Sequence, residues 1–298
     1  MTTRRILPLL GILLLCLLIT ACGIAPATKP AAPTRIVSLN LDADEVLLDL
    51  VAPERIVAIT ELADRPEMSY TVDKARAVKR RVTAYTVEEI LSLQPDLVIV
   101  SEWMDEGQRQ TLTDMGITVY SYRTPRTLAD IPATVRGIAA ACDESARGET
   151  LIADYTARRD AVLAAAAAVP VTERPRLLLW AYRAPYGAGD MLFGDMARQM
   201  GLPNILDPYT QAQLASVPEE TLITAAPELI LVTRWHLVDE SVAALTQRFT
   251  NNPAWSTVPA VREQRFAAVA GRALFCPNHY AAEGMREIFQ AVYPDRSI

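Results

Sequence analysis

Aromatic and arginine side chains collect at or just past the ends of short apolar runs, where a binding surface is built most easily. Trp103 follows "DLVIVS". Trp180 and Tyr182 end "RLLLWAY", with Arg183 and Tyr186 next. Arg234, Trp235 and His236 follow "LILVT". Arg183 and Arg234 have the fork geometry that grips acidic or chelate oxygens. Trp103 and Trp235, flanked by charge, suit a site better than a core, whereas Trp180, inside an apolar run, suits either. Tyr85, just before the acidic pair Glu88 and Glu89, is grouped with these candidates. So is Tyr280, in "CPNHYAAEG", where the last apolar run meets the terminal helical pattern. His279 beside it reads as a cap or surface residue.

Composition excludes several other chemistries. The 298 residues carry a net charge of -6, so no domain-wide basic footprint for nucleic acid exists. The 29 basic residues include only three lysines, Lys29, Lys74 and Lys79. Without a later lysine there is no phosphate-binding P-loop and no Schiff-base lysine in the last two thirds. Two His and four Cys are too few for a zinc-finger framework. No G-x-S-x-G elbow or H-E-x-x-H pair occurs, and "YGAGDMLFGD" holds G-x-G without the rest of a dinucleotide fingerprint.

The amino terminus reads as an export and anchoring device. Arg4 and Arg5 precede a short apolar run ending Ile19-Thr20-Ala21-Cys22. That run is too short for a comfortable transmembrane helix and resembles a lipobox, with Cys22 as the acylated mature terminus. Residues 1–21 are then the signal peptide. Residues 22–34, rich in Pro and Ala, form the lipidated Cys and a flexible tether. Cys142 and Cys276 remain in a compartment that permits disulfides. They fall in different lobes, and no pairing is expected.

Positioning the candidates requires a parallel α/β scaffold. Strand-like runs at 35–40, 55–60, 95–101 and 117–122 alternate with helical patterns, and Asp42 or Asp44 is read as the cap of the first helix. Residues 144–169 hold no Pro and read as one helix on the order of 40 Å long. Alternation then resumes. A segment also repeats: "VEEILSLQPDLVIVS" (87–101) superposes on "EETLITAAPELILVT" (219–233) at a constant offset, Glu88 on Glu220 and Pro95 on Pro227. One copy on each side of the long helix predicts two Rossmann-like α/β lobes bridged by that helix, with a ligand cleft between them. The lobes are assigned to 35–142 and 171–298, and the bridge to 143–170.

The lipobox, "RIVSLN", "EEILSLQPDLVIV", the long helix and the closing "VPAVREQRFAAVAG…MREIFQAVYP" together resemble the class III substrate-binding proteins of ABC importers, the cobalamin and ferric-siderophore binders. The resemblance covers about residues 35–294. It implies a non-enzymatic lipoprotein without a cofactor, acting as a monomer that captures a ferric siderophore or corrinoid. It also implies delivery to a permease dimer with its ATPase subunits. In that family one exposed glutamate per lobe docks on the permease, and the matching positions are Glu88 and Glu220, with Glu89 and Glu219 as neighbours that could share the role. Aromatic faces would pack on a large planar or chelate ligand. Haem is the alternative cargo, with His236, His279 or Tyr280 as axial ligand. Direct Zn²⁺ or Mn²⁺ binding is disfavoured by the shortage of His. The competing classes are a secreted hydrolase and a sensor lipoprotein that reuses the fold.

Overall fold

The computed structural model describes residues 31–181, 183–234 and 242–298. The signal segment, Cys22, Tyr182, Trp235 and His236 lie outside the described residues, as does the side chain of Arg234. Residues 33–298 form one compact unit.

The N-terminal sheet contains β1 (Ile36–Ser38), β2 (Ile56–Thr60), β3 (Arg80–Val82), β4 (Leu97–Ser101) and β5 (Thr118–Tyr122), all parallel, in the order β3-β2-β1-β4-β5. Its helices are α1 (Leu41–Leu50), α2 (Val87–Ser92), α3 (Glu106–Asp114) and α4 (Ile131–Ala141). The bridge is α5 (Ser145–Ala167), 23 residues or roughly 35 Å. The C-terminal sheet has the order β7-β6-β8-β9, from β6 (Leu177–Ala181), β7 (Ala184–Pro185), β8 (Leu229–Arg234) and β9 (Phe266–Ala270). Only β7 is antiparallel, in a tight hairpin with β6. Helices α6 (Leu192–Gln199), α7 (Glu219–Thr224), α8 (Val242–Thr250) and α9 (Ala281–Val292) complete this half. Two α/β lobes joined by one long helix are therefore the architecture. β3, β7, α8 and the one-turn helices Val72–Ala75, Pro259–Arg262 and Gly271–Leu274 are the elements the sequence patterns did not reveal.

Alternation along the strands explains how the halves join. Ile36, Leu97 and Ile99 of the first sheet and Leu177, Leu179, Leu229 and Leu231 of the second point into one shared core, which also takes Tyr155 and Val162 of α5 and Ile288 and Phe289 of α9. The alternate residues face separate outer cores: Val37, Val98 and Val100 in one lobe, Leu178, Trp180, Ile230 and Val232 in the other. Strands buried on both faces read as continuous apolar runs, as these do. The turn between α4 and α5 is tight, with Asp143 at φ +60°. A Cβ on Gly148 would lie 2.5 Å from the Ala139 Cβ, so glycine permits this helix pair to approach.

Two local readings are corrected. Neither Asp42 nor Asp44 caps α1; the cap position is Asn40. Asp42 instead accepts the Tyr122 hydroxyl (2.6 Å), and Asp44 accepts the Thr60 amide and hydroxyl (3.0 and 2.6 Å). Thr34, assigned to the tether, is docked on the body, its amide and hydroxyl both donating to Asp96.

Candidate functional site

The first sheet reverses its strand order between β1 and β4, the place where open α/β sheets form a ligand crevice beyond their carboxyl ends. Asn40 follows β1 there, and its Oδ1 accepts the Ser101 amide at 2.7 Å, fixing the gap between the strand tips. A recess of about 250 Å³ opens over them, lined by Leu39, Asn40, Tyr85, Ser101, Trp103 and Gln108. The Ser101 hydroxyl is buried there without a hydrogen-bond partner among the described residues. Tyr85 is held over the recess in left-handed backbone, φ +56°. Its amide, with those of Thr83 and Ala84, donates to the Glu89 carboxylate. Burial, and then the nearby Asp44, Glu61 and Glu89, push its phenol up to about 12.

A second recess of about 220 Å³ lies between the lobes. Glu102, Trp103, Thr124 and Arg126 come from the first lobe, and Tyr186, Met191, Phe193, Gln211 and Phe275 from the second. Trp103 is 71% exposed and forms a wall of both recesses. Tyr186 meets Phe275 edge to face, ring centroids 4.9 Å apart, and burial raises its phenol to about 12. Arg126 is exposed and has no side-chain partner among the described residues.

The structure thus brings Tyr85, Trp103 and Tyr186 together and sends other candidates elsewhere. Trp180 is 6% exposed. Strand alternation turns it onto the outer core, edge-on to Phe249 and beneath the Arg248 guanidinium, 4.4 Å from its ring. Arg183 occupies the β6–β7 turn at φ +62°, and its carbonyl accepts from Arg248. Arg234 ends β8. Tyr280 is drawn into the seam between lobes: it stacks on Tyr70 at 5.2 Å and donates to Asp49 at 2.7 Å. His279 is not a surface residue. It is 1% exposed and bonds Asp49 at 2.8 Å. Both face Asp49, and neither lines a recess described above. Of "CPNHYAAEG", only Pro277 lines the cavity among the described residues. Cys142 and Cys276 are buried free thiols. Asn40, Ser101, Arg126 and Phe275 were missed, although Ser101 ends a strand and the others follow one closely enough for the strand-end rule to have found them.

Glu88 and Glu220 both sit exposed in a helix's first turn, with no side-chain partner among the described residues. Their neighbours are committed. Glu89 closes the 83–85 loop, and Glu219 accepts the Trp255 indole N–H at 2.6 Å and Asn252 at 3.3 Å.

Among the described residues no three His, Cys, Asp or Glu are placed to hold a metal ion, and no helix is long and apolar enough to cross a membrane. The profile of the family described as Periplasmic binding protein matches residues 36–272, and the chain belongs to that family. It is 25% identical to the vitamin B12-binding protein of Vibrio parahaemolyticus over 74% of this chain and 80% of that one. It is 21% identical to the uncharacterized ABC transporter substrate-binding lipoprotein YvrC of Bacillus subtilis over 88% and 81%. The periplasmic heme-binding protein RhuT of Roseiflexus, in apo form, shares the fold at TM-score 0.69 and 22% identity, covering 87% of this chain and 98% of that one. The chain thus belongs to a family of periplasmic binding proteins, and its family consists of substrate-binding proteins.

Proposed function

We propose that the chain is the substrate-binding lipoprotein of an ABC importer, acylated at Cys22, and that it carries a corrinoid or ferric siderophore between its lobes. The observation that carries this reading is the pair of recesses sharing the exposed Trp103 at the strand-order reversal. Its aromatic walls suit a large planar or chelate ligand. Asn40, Ser101 and Gln108 offer amide and hydroxyl groups to a ligand's polar periphery. Haem is the alternative cargo; of its axial candidates, His279 and Tyr280 are bonded to Asp49 in the seam rather than lining either recess, and His236 lies outside the described residues. Glu88 and Glu220 are the proposed contacts with the permease dimer, one per lobe, because their neighbours' carboxylates are already bonded.

Tryptophan-fluorescence titration with cobalamin, ferric siderophores and haemin tests the cargo. Saturation at one equivalent by cobalamin or a siderophore supports the reading, and Trp103→Ala should weaken it at least tenfold. Saturation by haemin alone, or no response to any of the three, overturns it.

A further inference from the structure

The ligand cleft lies at the carboxyl ends of the strands; the opposite end of the first sheet carries a second, differently built recess. It measures about 630 Å³ and is lined by Arg35, Glu54, Lys79, Arg80, Ser92 and Gln94, which lie at or just before the starts of β1, β2, β3 and β4. We propose that this base is a docking surface for anionic phospholipid headgroups of the membrane that holds the anchor; the inference rests on acylation at Cys22 as proposed above.

Three observations carry it. First, the charge is available. Lys79 and Arg80 are exposed, and their side chains have no partner among the described residues. The Arg35 guanidinium is held by the Leu93 and Gln94 carbonyls rather than by a carboxylate. Glu54 is the acid in the lining. Nearby Asp96 is occupied by the Thr34 and Arg35 amides, and Glu144 by Arg55. Second, this cationic base belongs to a chain of net charge -6 with three lysines, of which Lys29 lies in the tether and Lys79 in the recess. Third, the chain enters the body here. Arg55 Nε holds the Pro33 carbonyl at 2.8 Å, and Asp96 clasps Thr34. The twelve peptide steps from Cys22 to Thr34 can reach at most about 40 Å. An anchor at Cys22 is therefore joined to the body at this face rather than at the cleft. Resting base-down leaves the cleft and Glu88 turned outward, since Glu88 begins α2 and Ser92 ends it. Docking on the permease then requires the base to lift, which a weak, salt-screened contact permits.

The full acylated chain is reconstituted on vesicles of phosphatidylcholine, or of phosphatidylcholine with one third phosphatidylglycerol. Lys79 labelling by a membrane-impermeant amine reagent is followed by mass spectrometry. Lys74, which pairs with Asp49 in the seam, serves as internal reference. Lys79 should label about fivefold more slowly on phosphatidylglycerol, the effect expected from one cation near an anionic surface. The difference should vanish in 0.5 M salt and in Arg35→Gln/Arg80→Glu, whose ligand titration stays unchanged. Equal labelling of acylated chain on both vesicles overturns the basal surface alone. Slowing on both vesicles by inorganic phosphate assigns the recess to a free anion and also overturns it. A mass showing no acyl group on Cys22 overturns the anchor and this inference together.

Discussion

The Glu45 carboxylate, on α1 of the first lobe, accepts the Asn278 side-chain amide of the second lobe at 2.7 Å while 1% exposed. It also takes the Ser69 hydroxyl, the Tyr70 amide and the Cys276 thiol, so one buried acid ties both lobes together. Removing it takes away an acceptor that four donors share, and the Tyr70 amide has no other acceptor among the described residues. Glu45→Ala should cost about 3 kcal/mol of stability and Glu45→Gln markedly less, measured by denaturant unfolding. Equal costs would show that packing, not hydrogen bonding, is what the position supplies.

Acid should stabilise this protein down to about pH 4. Burial raises Asp42 to about 6, Asp44 to about 7, and Glu45 upward as well. Folded-state values above the unfolded ones mean that folding takes up protons, so stability is greatest below about pH 4 for these groups and is lost as pH rises through 6 to 7. Asp49 behaves oppositely. Burial alone would raise it, but His279, Lys74 and Tyr280 hold it at about 2, so its contribution is present above pH 4 and disappears as pH falls toward 2. The melting temperature should rise by about 5 °C from pH 8 to pH 5, and Asp44→Asn should flatten the slope. A melting temperature that falls over that interval contradicts the assignment.

Trp103 and Trp180 should separate binding from folding. Trp180→Ala, removing a ring packed on Phe249 and Arg248, should cost about 3–5 kcal/mol. Trp103→Ala, at 71% exposure, should leave the melting temperature within about 2 °C and weaken ligand at least tenfold. The reverse pattern would move the site into the second lobe's outer core.

Charge reversal of Glu88 and Glu220 should abolish uptake in cells without changing ligand affinity. Glu89→Gln should lower stability by about 1 kcal/mol, through weaker acceptance of the 83–85 amides, and leave docking intact. Uptake lost in Glu89→Gln but retained in Glu88→Arg would exchange the two roles.

Gly148→Leu should wedge α4 from α5, where even a Cβ would meet Ala139 at 2.5 Å. Overpacking of this kind costs about 1–3 kcal/mol. A neutral result in thermal unfolding would mean that the bridging helix can shift along its neighbour.

The architecture was legible because the repeated helix–Pro–acid–strand unit and the uninterrupted helix are local patterns. The offset also matched Glu88 to Glu220, and the structure places both exposed in the first turn of a helix. Trp180 shows the limit. Its place at a strand end is visible, but which face it takes depends on the register of β6 against β8, and register is a property of the partner strand. His279 and Tyr280 show another. Their environment is Asp49, separated by 230 and 231 residues, and no local pattern reports it. β7 escaped because a two-residue hairpin strand leaves little periodicity to read.

The clasp on Glu45 also sets a timetable. Its partners Cys276 and Asn278 lie 231 and 233 residues further along the chain. Until they arrive, an ionised carboxylate destined for the interior remains in water, and the shared core cannot close. Contacts of such sequence separation slow folding. A chain made from its amino terminus onward therefore stays open while it is incomplete, which is the state an export channel needs to thread it.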